Sequence, residues 1–294
     1  MDGENCIKLL LILKKIRYRF FLFAGIFPYL IGQSIAYSSQ KSLNIQYFYL
    51  GFLGIFLVLI GVELFNEYFD SFEGGDRIFI QVKPSVNPLL FLAGLLVFIL
   101  AFIIGVFLTI RVGSGIIFFS IIGFLAAYFY VGPPIRWAYR GFGELVISLS
   151  YGPFMVLGSY YLQTKRIGYI PLFVSFICGL VLFALAILNE IPDYYQDRLV
   201  GKKNLVVRLG QLRSIHVTFC VFTLILIFIV TGLILKILPL LVGVVFFLVP
   251  WQIRSLSLIY KNYEDPQIYK STINSSIYLY LTISITVIIG YIIR

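Results

Sequence analysis

Charged residues are scarce in this sequence. Only 12% of its 294 residues are Asp, Glu, Lys or Arg, whereas 60% are hydrophobic and the mean hydropathy is +0.98. A soluble domain is about a quarter charged and nearer to half apolar. A soluble fold of this length has too small an interior for so many Phe, Ile, Leu and Tyr residues. The length suits one compact helical membrane domain covering residues 1–294.

Residues that form disulfides or bind zinc are also few. Cys6, Cys178 and Cys220 are isolated, and two of them lie in apolar runs, which argues against a disulfide framework and against a zinc site. His216 is the only histidine, and we assign it no chemical role. The first apolar run lies deep in the chain and lacks a small-residue cleavage site, so we do not expect a removable signal peptide.

Long apolar runs fill most of the chain. A membrane-spanning helix needs about 20 mostly apolar residues, and the sequence offers nine candidates. They cover roughly residues 20–37, 47–65, 89–110, 112–131, 145–162, 169–188, 215–235, 237–253 and 273–293. The sequence therefore predicts an all-α polytopic membrane protein with nine transmembrane helices.

The loops between these spans differ in charge. If the basic segment of residues 1–19 is cytoplasmic, 17 of the 23 Lys and Arg residues fall on that side, as the positive-inside rule requires. All 13 Asp and Glu residues fall on the same side or at helix ends that face it, which the rule does not require. We expect a multi-pass protein of the cell membrane, with its N-terminus and a site built from carboxylates at the cytoplasmic side.

The pattern apolar-apolar-Asn-Glu-x-x-Asp occurs twice. It closes the second span with Asn66 and Asp70, and the sixth span with Asn189 and Asp193. Residues four apart share a helix face, so each pair points one way, and Asp197 extends the second pair by a turn. Four spans separate the two copies, so both open on the same side.

Oxygen ligands gathered at a membrane face predict a Mg²⁺ site. Ionisable groups at membrane depth are usually functional, and Mg²⁺ prefers one or two carboxylates together with phosphate oxygens. Asp76, which follows Gly74-Gly75, is expected to fold back toward the cluster. A diphosphate group would supply such phosphate oxygens. The basic residues that follow each motif could bind its remaining charge: Arg77, Lys83, Arg198, Lys202, Lys203 and Arg208.

Simpler interpretations exist for parts of this cluster. The repeated motif could be a polar cap at a cytoplasmic helix end, although its occurrence at two matching positions favours a site. Glu63 could pair with a basic residue. Solvated charges in the headgroup region are the favoured interpretation for Glu67, Glu73 and Glu190.

A Gly/Pro-rich segment, residues 128–144, joins the fourth and fifth spans. It is predicted to form a turn on the acidic side of the membrane. Tyr130, Arg136 and Arg140 are therefore candidate contacts for a diphosphate or for a second substrate.

At these residues the chain resembles the UbiA superfamily of intramembrane prenyltransferases. The resemblance implies nine transmembrane helices around a central cavity open to lipid. It also implies two Asp-rich motifs that bind a prenyl diphosphate through Mg²⁺. The first motif is matched by Asn66, Asp70 and Asp76, and the second by Asn189, Asp193 and Asp197.

Within that superfamily the chain most resembles the 1,4-dihydroxy-2-naphthoate polyprenyltransferases of menaquinone biosynthesis. The six-residue step from Asp70 to Asp76 includes Gly74-Gly75. Residues 139–144, Tyr-Arg-Gly-Phe-Gly-Glu, and residues 201–210, which run from Gly-Lys to Val-Arg-Leu-Gly, resemble two further segments of that branch.

The resemblance also implies roles for the candidate residues. Asp70, Asp76, Asp193 and Asp197 would be catalytic, and with Asn66 and Asn189 they would hold the metal. Contacts to the diphosphate or the acceptor would come from Lys83, Tyr130, Arg136, Arg140, Lys202 and Arg208. The implied partners are a polyprenyl diphosphate, an aromatic acceptor and the lipid bilayer, and no nucleic acid is expected.

Other functions remain open at this point. The acceptor could be a hydroxybenzoate, homogentisate, a glycerol phosphate lipid or a porphyrin derivative. A cation-coupled transporter could also use the acids as ion ligands, but transporter sites usually lie near the membrane midplane at broken helices. The acids here lie at one end of their spans, beside basic residues.

Overall fold

The computed structural model describes residues 18–73, 87–263 and 266–294, and every regular element in these ranges is helical. The α-helices are α1 Tyr18–Gln40, α2 Ile45–Glu73, α3 Pro88–Val112, α4 Gly115–Val131, α5 Gly143–Leu149, α6 Met155–Thr164, α7 Tyr169–Glu190, α8 Tyr194–Leu199, α9 Leu205–Leu209, α10 Gln211–Ile234, α11 Val249–Lys261 and α12 Pro266–Ile293. A π-helical turn at Ser150–Phe154 joins α5 to α6. The 3₁₀ segments are Trp137–Tyr139 and Leu240–Phe247.

Six helical stretches are long and apolar enough to cross a membrane. They are Ile45–Phe69, Pro88–Val112, Gly143–Thr164, Tyr169–Glu190, Gln211–Ile234 and Ser271–Ile293. The 3₁₀ segment Leu240–Phe247 and α11, which meet at a bend of 42°, make a seventh when they are taken together. The all-helical membrane architecture expected from the sequence is therefore confirmed.

The length and apolar composition of the described helices do not confirm the expected count of nine spans. A helical segment does lie at each of the nine apolar runs, but α1 is not among the six spans and α4 is a shorter apolar helix of 17 residues. Nine spans stay a prediction.

Glycines allow α7 to approach the break between α5 and α6. A Cβ added at Gly152 would lie 2.7 Å from the Cα of Gly179 and 2.7 Å from the Ser175 carbonyl oxygen. Pro153 lies in the π turn, where its missing N–H removes one helical hydrogen bond. The Ser148 hydroxyl donates to the Gly179 carbonyl at 2.9 Å. This contact fixes the height at which the two elements cross.

Polar side chains also join helices inside the bundle. The Gln33 amide on α1 donates to the Ser159 carbonyl on α6 at 2.9 Å, and the Ser159 hydroxyl donates to the Tyr29 carbonyl at 2.8 Å. Between α11 and α12, the Gln252 amide donates to the Ser276 hydroxyl at 2.8 Å. Inside a bilayer no water is present to hydrogen-bond these polar groups, so bonds between helices replace it.

An apolar cavity of about 220 Å³ lies among α1 to α6. One end is lined by Val62 and Tyr130, and the other reaches the buried cluster of Tyr29, Leu108 and Leu162. Val62 lies one helical turn before Asn66, so the cavity begins beside the first repeated motif. The opening to lipid that the resemblance implies stays a prediction.

We expect Gly152→Ala to destabilise the protein, because the new methyl group would overlap the backbone of α7. Overpacking of this kind costs about 1–3 kcal/mol, and the measurement is thermal unfolding of the purified protein in detergent. Gly243→Ala is the matched control, since an added Cβ there meets nothing within 4 Å. Equal melting temperatures for the two variants would contradict this account of the crossing.

Candidate functional site

The second motif lies where α7 ends. Asn189 is half-buried in the last turn of α7, and Ile191 and Pro192 follow that helix. Asp193 is the N-cap of α8, and the Asp197 amide donates to the Asp193 carbonyl at 2.8 Å. The expectation that Asn189 and both aspartates share one continuous helix face is therefore wrong, because the chain bends between α7 and α8.

A buried polar network surrounds Asp197, which is 8% exposed. The Lys202 ammonium lies 3.2 Å from Asp197 Oδ2 and 3.1 Å from Glu190 Oε2. Asn204 Nδ2 donates to Asp197 Oδ2 at 2.6 Å and also to Glu190 Oε2. Two carboxyl groups thus share one ammonium and one amide. We name these four residues, Glu190, Asp197, Lys202 and Asn204, the carboxylate network.

Electrostatics in the carboxylate network perturb both kinds of charged group. Burial raises the pKa of Asp197 to about 7; Lys202 acts in the lowering direction, and Glu190 raises the pKa further. Burial alone would lower the pKa of Lys202, but the carboxylates of Glu190 and Asp197 outweigh it and raise the pKa above its usual value. Lys202 therefore stays charged, while Asp197 titrates near neutral pH.

Glu190 differs from the interpretation that the sequence favours. It is not a solvated headgroup charge: its side chain is 22% exposed and forms an ion pair with Lys202. Lys202, predicted to contact the diphosphate, contacts these carboxylates directly. Arg208, predicted for the same role, donates to two backbone carbonyls, from Nε to Lys203 at 3.0 Å and from a terminal nitrogen to Arg140 at 2.7 Å.

The loop between α4 and α5 packs against the carboxylate network. The Lys203 amide donates to the Tyr139 carbonyl at 3.1 Å, and Lys202 Nζ lies 6.0 Å from the centre of the Tyr139 ring. Gly141 has φ +80, and a Cβ at this residue would lie 2.5 Å from Arg208 Nε. Glycine is therefore required at this contact by both backbone conformation and space.

Glu144 anchors the start of α5 to the same region. It is 3% exposed, and its Oε1 accepts a hydrogen bond from the Leu205 amide at 3.0 Å. Its Oε2 is buried and has no hydrogen-bond partner among the described residues. The sequence marked Glu144 only as part of a turn, so this buried carboxylate was missed.

Two arginines in the same loop were also candidates. The Arg136 guanidinium lies 5.9 Å from the centre of the Tyr139 ring, and Arg136 itself has φ 52. Arg140 donates to the Pro134 carbonyl at 3.0 Å. Tyr130, the third candidate here, lines the cavity at the end near Val62. All three residues belong to α4 or the loop that follows it, and their contacts with a substrate stay predictions.

The first motif lies in the last turns of α2. Phe65 is buried against Tyr128 of α4, with ring centres 5.9 Å apart, and the same cluster includes Ala138. The α4–α5 loop therefore lies between the end of α2 and the carboxylate network. Asn66 Oδ1 is buried with no hydrogen-bond partner among the described residues. Asp70 belongs to α2 as well, whereas Asp76 and Lys83 lie outside the described residues.

The donor set fits Mg²⁺ in its chemistry. Mg²⁺ takes hard oxygen ligands, and the described motif residues offer the Asp193 and Asp197 carboxyl groups, the Asn189 amide and the orphaned oxygen of Asn66. Within residues 18–73, 87–263 and 266–294, no three His, Cys, Asp or Glu side chains are placed together as a metal site. The assigned metal ligands therefore stay predictions.

Asn204 is the functional candidate that the sequence reading missed most clearly. An Asn directly before an apolar run is a helix N-cap signal, and its Oδ1 does accept from the Val207 amide at 2.8 Å. That signal identifies the cap. It does not reveal the contacts with Glu190 and Asp197, which depend on the bend after α7.

Two known proteins are similar to this chain in sequence. The chain is 25% identical over 284 residues to a 1,4-dihydroxy-2-naphthoate octaprenyltransferase of Bacillus subtilis, covering 92% of this chain and 90% of the relative. It is 26% identical over 210 residues to a 2-carboxy-1,4-naphthoquinone phytyltransferase of Synechocystis, covering 69% of this chain and 68% of the relative.

Two solved structures share the fold. A digeranylgeranylglyceryl phosphate synthase aligns with a TM-score of 0.68 at 19% identity, over 98% of this chain and 99% of the other. A UbiA homologue of Archaeoglobus fulgidus bound to DMAPP and Mg²⁺ aligns with a TM-score of 0.60 at 15% identity, over 93% and 99% of the two chains. The UbiA prenyltransferase family matches residues 25–280. The chain therefore belongs to the UbiA prenyltransferase family and is a multi-pass membrane prenyltransferase.

Proposed function

We propose that the protein transfers a polyprenyl group from a prenyl diphosphate to 1,4-dihydroxy-2-naphthoate, in a Mg²⁺-dependent reaction of menaquinone biosynthesis. One observation carries the proposal: Asn66 lies one helical turn beyond Val62, which lines the apolar cavity, and the α4–α5 loop contacts both this end of α2 and the segment that follows α8. Polar ligands for a diphosphate thus adjoin an apolar space for its tail.

The metal would be held by Asn66, Asp70, Asp76, Asn189, Asp193 and Asp197. When bound, Mg²⁺ supplies positive charge to the leaving diphosphate. The buried, orphaned oxygen of Asn66 and the half-buried carboxyl group of Asp193 support this assignment. The UbiA homologue of Archaeoglobus fulgidus was solved with DMAPP and Mg²⁺, which supports the same metal here.

The prenyl tail would lie in the cavity among α1 to α6. As the C–O bond breaks, its electron pair leaves with the diphosphate and an allylic cation forms. Excluding water protects such a cation from hydrolysis, and the apolar lining does this. Tyr130, Phe98 and Phe124 line the cavity, and the faces of aromatic rings interact favourably with positive charge.

The acceptor would attack the allylic carbon with an electron-rich ring carbon. With dihydroxynaphthoate the new C–C bond would form at the ring carbon that carries the carboxylate. The bond to that group then breaks, CO₂ leaves, and the electron pair restores the aromatic ring. Asp76 or Asp197 would take an acceptor hydroxyl proton during the attack and return it as the ring is restored, and burial suits Asp197 to this because it raises the pKa of that group to about 7. Arg136 and Arg140, with Lys83, Lys202 and Arg208, are the proposed contacts for the substrates.

The choice of acceptor is supported by the relatives. Several similar proteins are 1,4-dihydroxy-2-naphthoate octaprenyltransferases, in Bacillus subtilis, Mycobacterium tuberculosis and Escherichia coli among others. We also propose nine membrane spans, with the site at the cytoplasmic face of the cell membrane. The excess of Lys and Arg residues on that side supports this orientation.

We expect Asp193→Ala and Asp70→Ala each to lower prenyl transfer by more than about 100-fold. A lost metal ligand removes several kcal/mol of charge stabilisation, and each 1.36 kcal/mol changes the rate tenfold. The assay measures product from a prenyl diphosphate at fixed Mg²⁺, with membrane insertion checked in parallel. Glu67→Gln is the matched control and should stay active. Full activity in either alanine variant would remove that residue from the site.

We expect the purified enzyme to prenylate dihydroxynaphthoate in preference to other acceptors. The measurement offers one prenyl diphosphate with each acceptor in turn and identifies the products by mass. Turnover of hydroxybenzoate, homogentisate or a glycerol phosphate lipid instead would change the acceptor but not the reaction. Solute flux across vesicles without prenyl transfer would support the transporter alternative.

We expect Gly123→Leu to shift selectivity toward shorter prenyl diphosphates. Gly123 lines the cavity about 10 Å deeper than Tyr130 along α4 at 1.5 Å per residue, and an added Cβ meets nothing within 4 Å. The leucine should fit without disturbing the fold and obstruct long tails. The ratio of kcat/KM for a short over a long substrate should rise about tenfold. Gly243→Leu, away from the cavity, is the control, and an unchanged ratio for Gly123→Leu would place the tail elsewhere.

A further inference from the structure

Asn204 is one of the most deeply buried polar residues near the second motif, at 1% exposed. It is the N-cap of α9 and the last residue of the loop that joins α8 to α9. Its Nδ2 donates to Asp197 Oδ2 at 2.6 Å and to Glu190 Oε2, while its Oδ1 accepts from the Val207 amide at 2.8 Å. One side chain therefore contacts two carboxyl groups and caps a helix.

These contacts use both the donor and the acceptor groups of the Asn204 side-chain amide. An Asn side chain has two N–H donors and one carbonyl acceptor. Both donors can be matched to the two carboxyl groups, and the acceptor is matched to the cap. Capping alone needs only the oxygen, which Ser, Asp or Thr would also supply. The requirement for an amide comes from the carboxyl groups.

The carboxyl groups need this support because they repel each other when both are ionised. Lys202 lies between them and cannot neutralise two negative charges by itself. The neutral donors of Asn204 stabilise both without adding charge. Because the Asp197 amide also bonds to the Asp193 carbonyl at 2.8 Å, fixing Asp197 fixes the start of α8 and the backbone at Asp193.

We infer that Asn204 is a positioning residue, whose amide holds Glu190 and Asp197 so that Asp193 and Asp197 are preorganised for the metal and the diphosphate. The inference rests on the proposed function. Asn204 does not touch the substrate; it acts through the two carboxyl groups. Hydrogen-bond partners of metal ligands commonly change metal affinity or activity by about 10- to 100-fold when they are removed.

Three variants separate positioning from capping. Asn204→Thr keeps an oxygen for the cap of α9 but loses both donors, and Asn204→Ala loses the cap as well. Asn44→Thr is the matched control, because Asn44 caps α2 at the opposite end of that helix from the motif, with its Oδ1 accepting from the Tyr47 amide at 3.0 Å. Each purified protein is measured for its melting temperature with and without Mg²⁺ and inorganic diphosphate, and for the Mg²⁺ concentration that gives half-maximal prenyl transfer.

Asn204→Thr should melt below the wild type without ligand, because it loses the hydrogen bonds to two buried carboxyl groups, and above Asn204→Ala, which loses the helix cap too. Its half-maximal Mg²⁺ concentration should rise about tenfold, and the stabilisation by Mg²⁺ and diphosphate should shrink. Asn44→Thr should change neither Mg²⁺ quantity. An Asn204→Thr variant with the wild-type Mg²⁺ response would overturn the inference and leave only a cap. A wild-type protein that neither transfers prenyl groups nor responds to Mg²⁺ and diphosphate would overturn the proposed function, and the inference with it.

Discussion

Repulsion between carboxyl groups at one end of an apolar helix bundle is the constraint on which the rest of this site depends. Glu190 and Asp197 approach the same ammonium, that of Lys202, within 3.1 and 3.2 Å. Taking such groups out of water is costly unless each is paired and hydrogen-bonded. The short segments after α7 meet this requirement: α8 carries Asp197, and the turn before α9 carries Lys202 and Asn204.

The α4–α5 loop fixes those short segments to the bundle. The Tyr139 carbonyl accepts a hydrogen bond from the Lys203 amide, the Glu144 carboxyl group accepts one from the Leu205 amide, and the Arg208 side chain donates to the Arg140 carbonyl. Each of these bonds has a backbone group on at least one side, so together they fix the path of the chain. The same loop packs through Ala138 against the end of α2. The two halves of the predicted metal site are thus held by one intervening loop.

The sequence predicted the helical membrane fold and the two helix ends that carry the motifs, because long apolar runs and i,i+4 spacing are local signals. It did not predict the role of Glu190 or Asn204. Residues 190, 197 and 204 are seven apart, which on one continuous helix would place neighbours on the same face but about 10 Å from each other. Their direct contacts therefore depend on the bend at Pro192 and not on the helical period. A glutamate at a helix end has the same local pattern whether it is solvated or paired, so only the tertiary arrangement could distinguish the two.

Basic residues near a diphosphate site need not all bind the diphosphate. Arg208 is engaged with two carbonyls, and its approach requires Gly141, where φ is +80 and a side chain has no room. Lys202 neutralises part of the acid charge within the carboxylate network. A cation between buried carboxyl groups stabilises this region without a ligand. One ammonium cannot neutralise both carboxyl groups when they are ionised, and the proposed Mg²⁺ would meet this remaining negative charge.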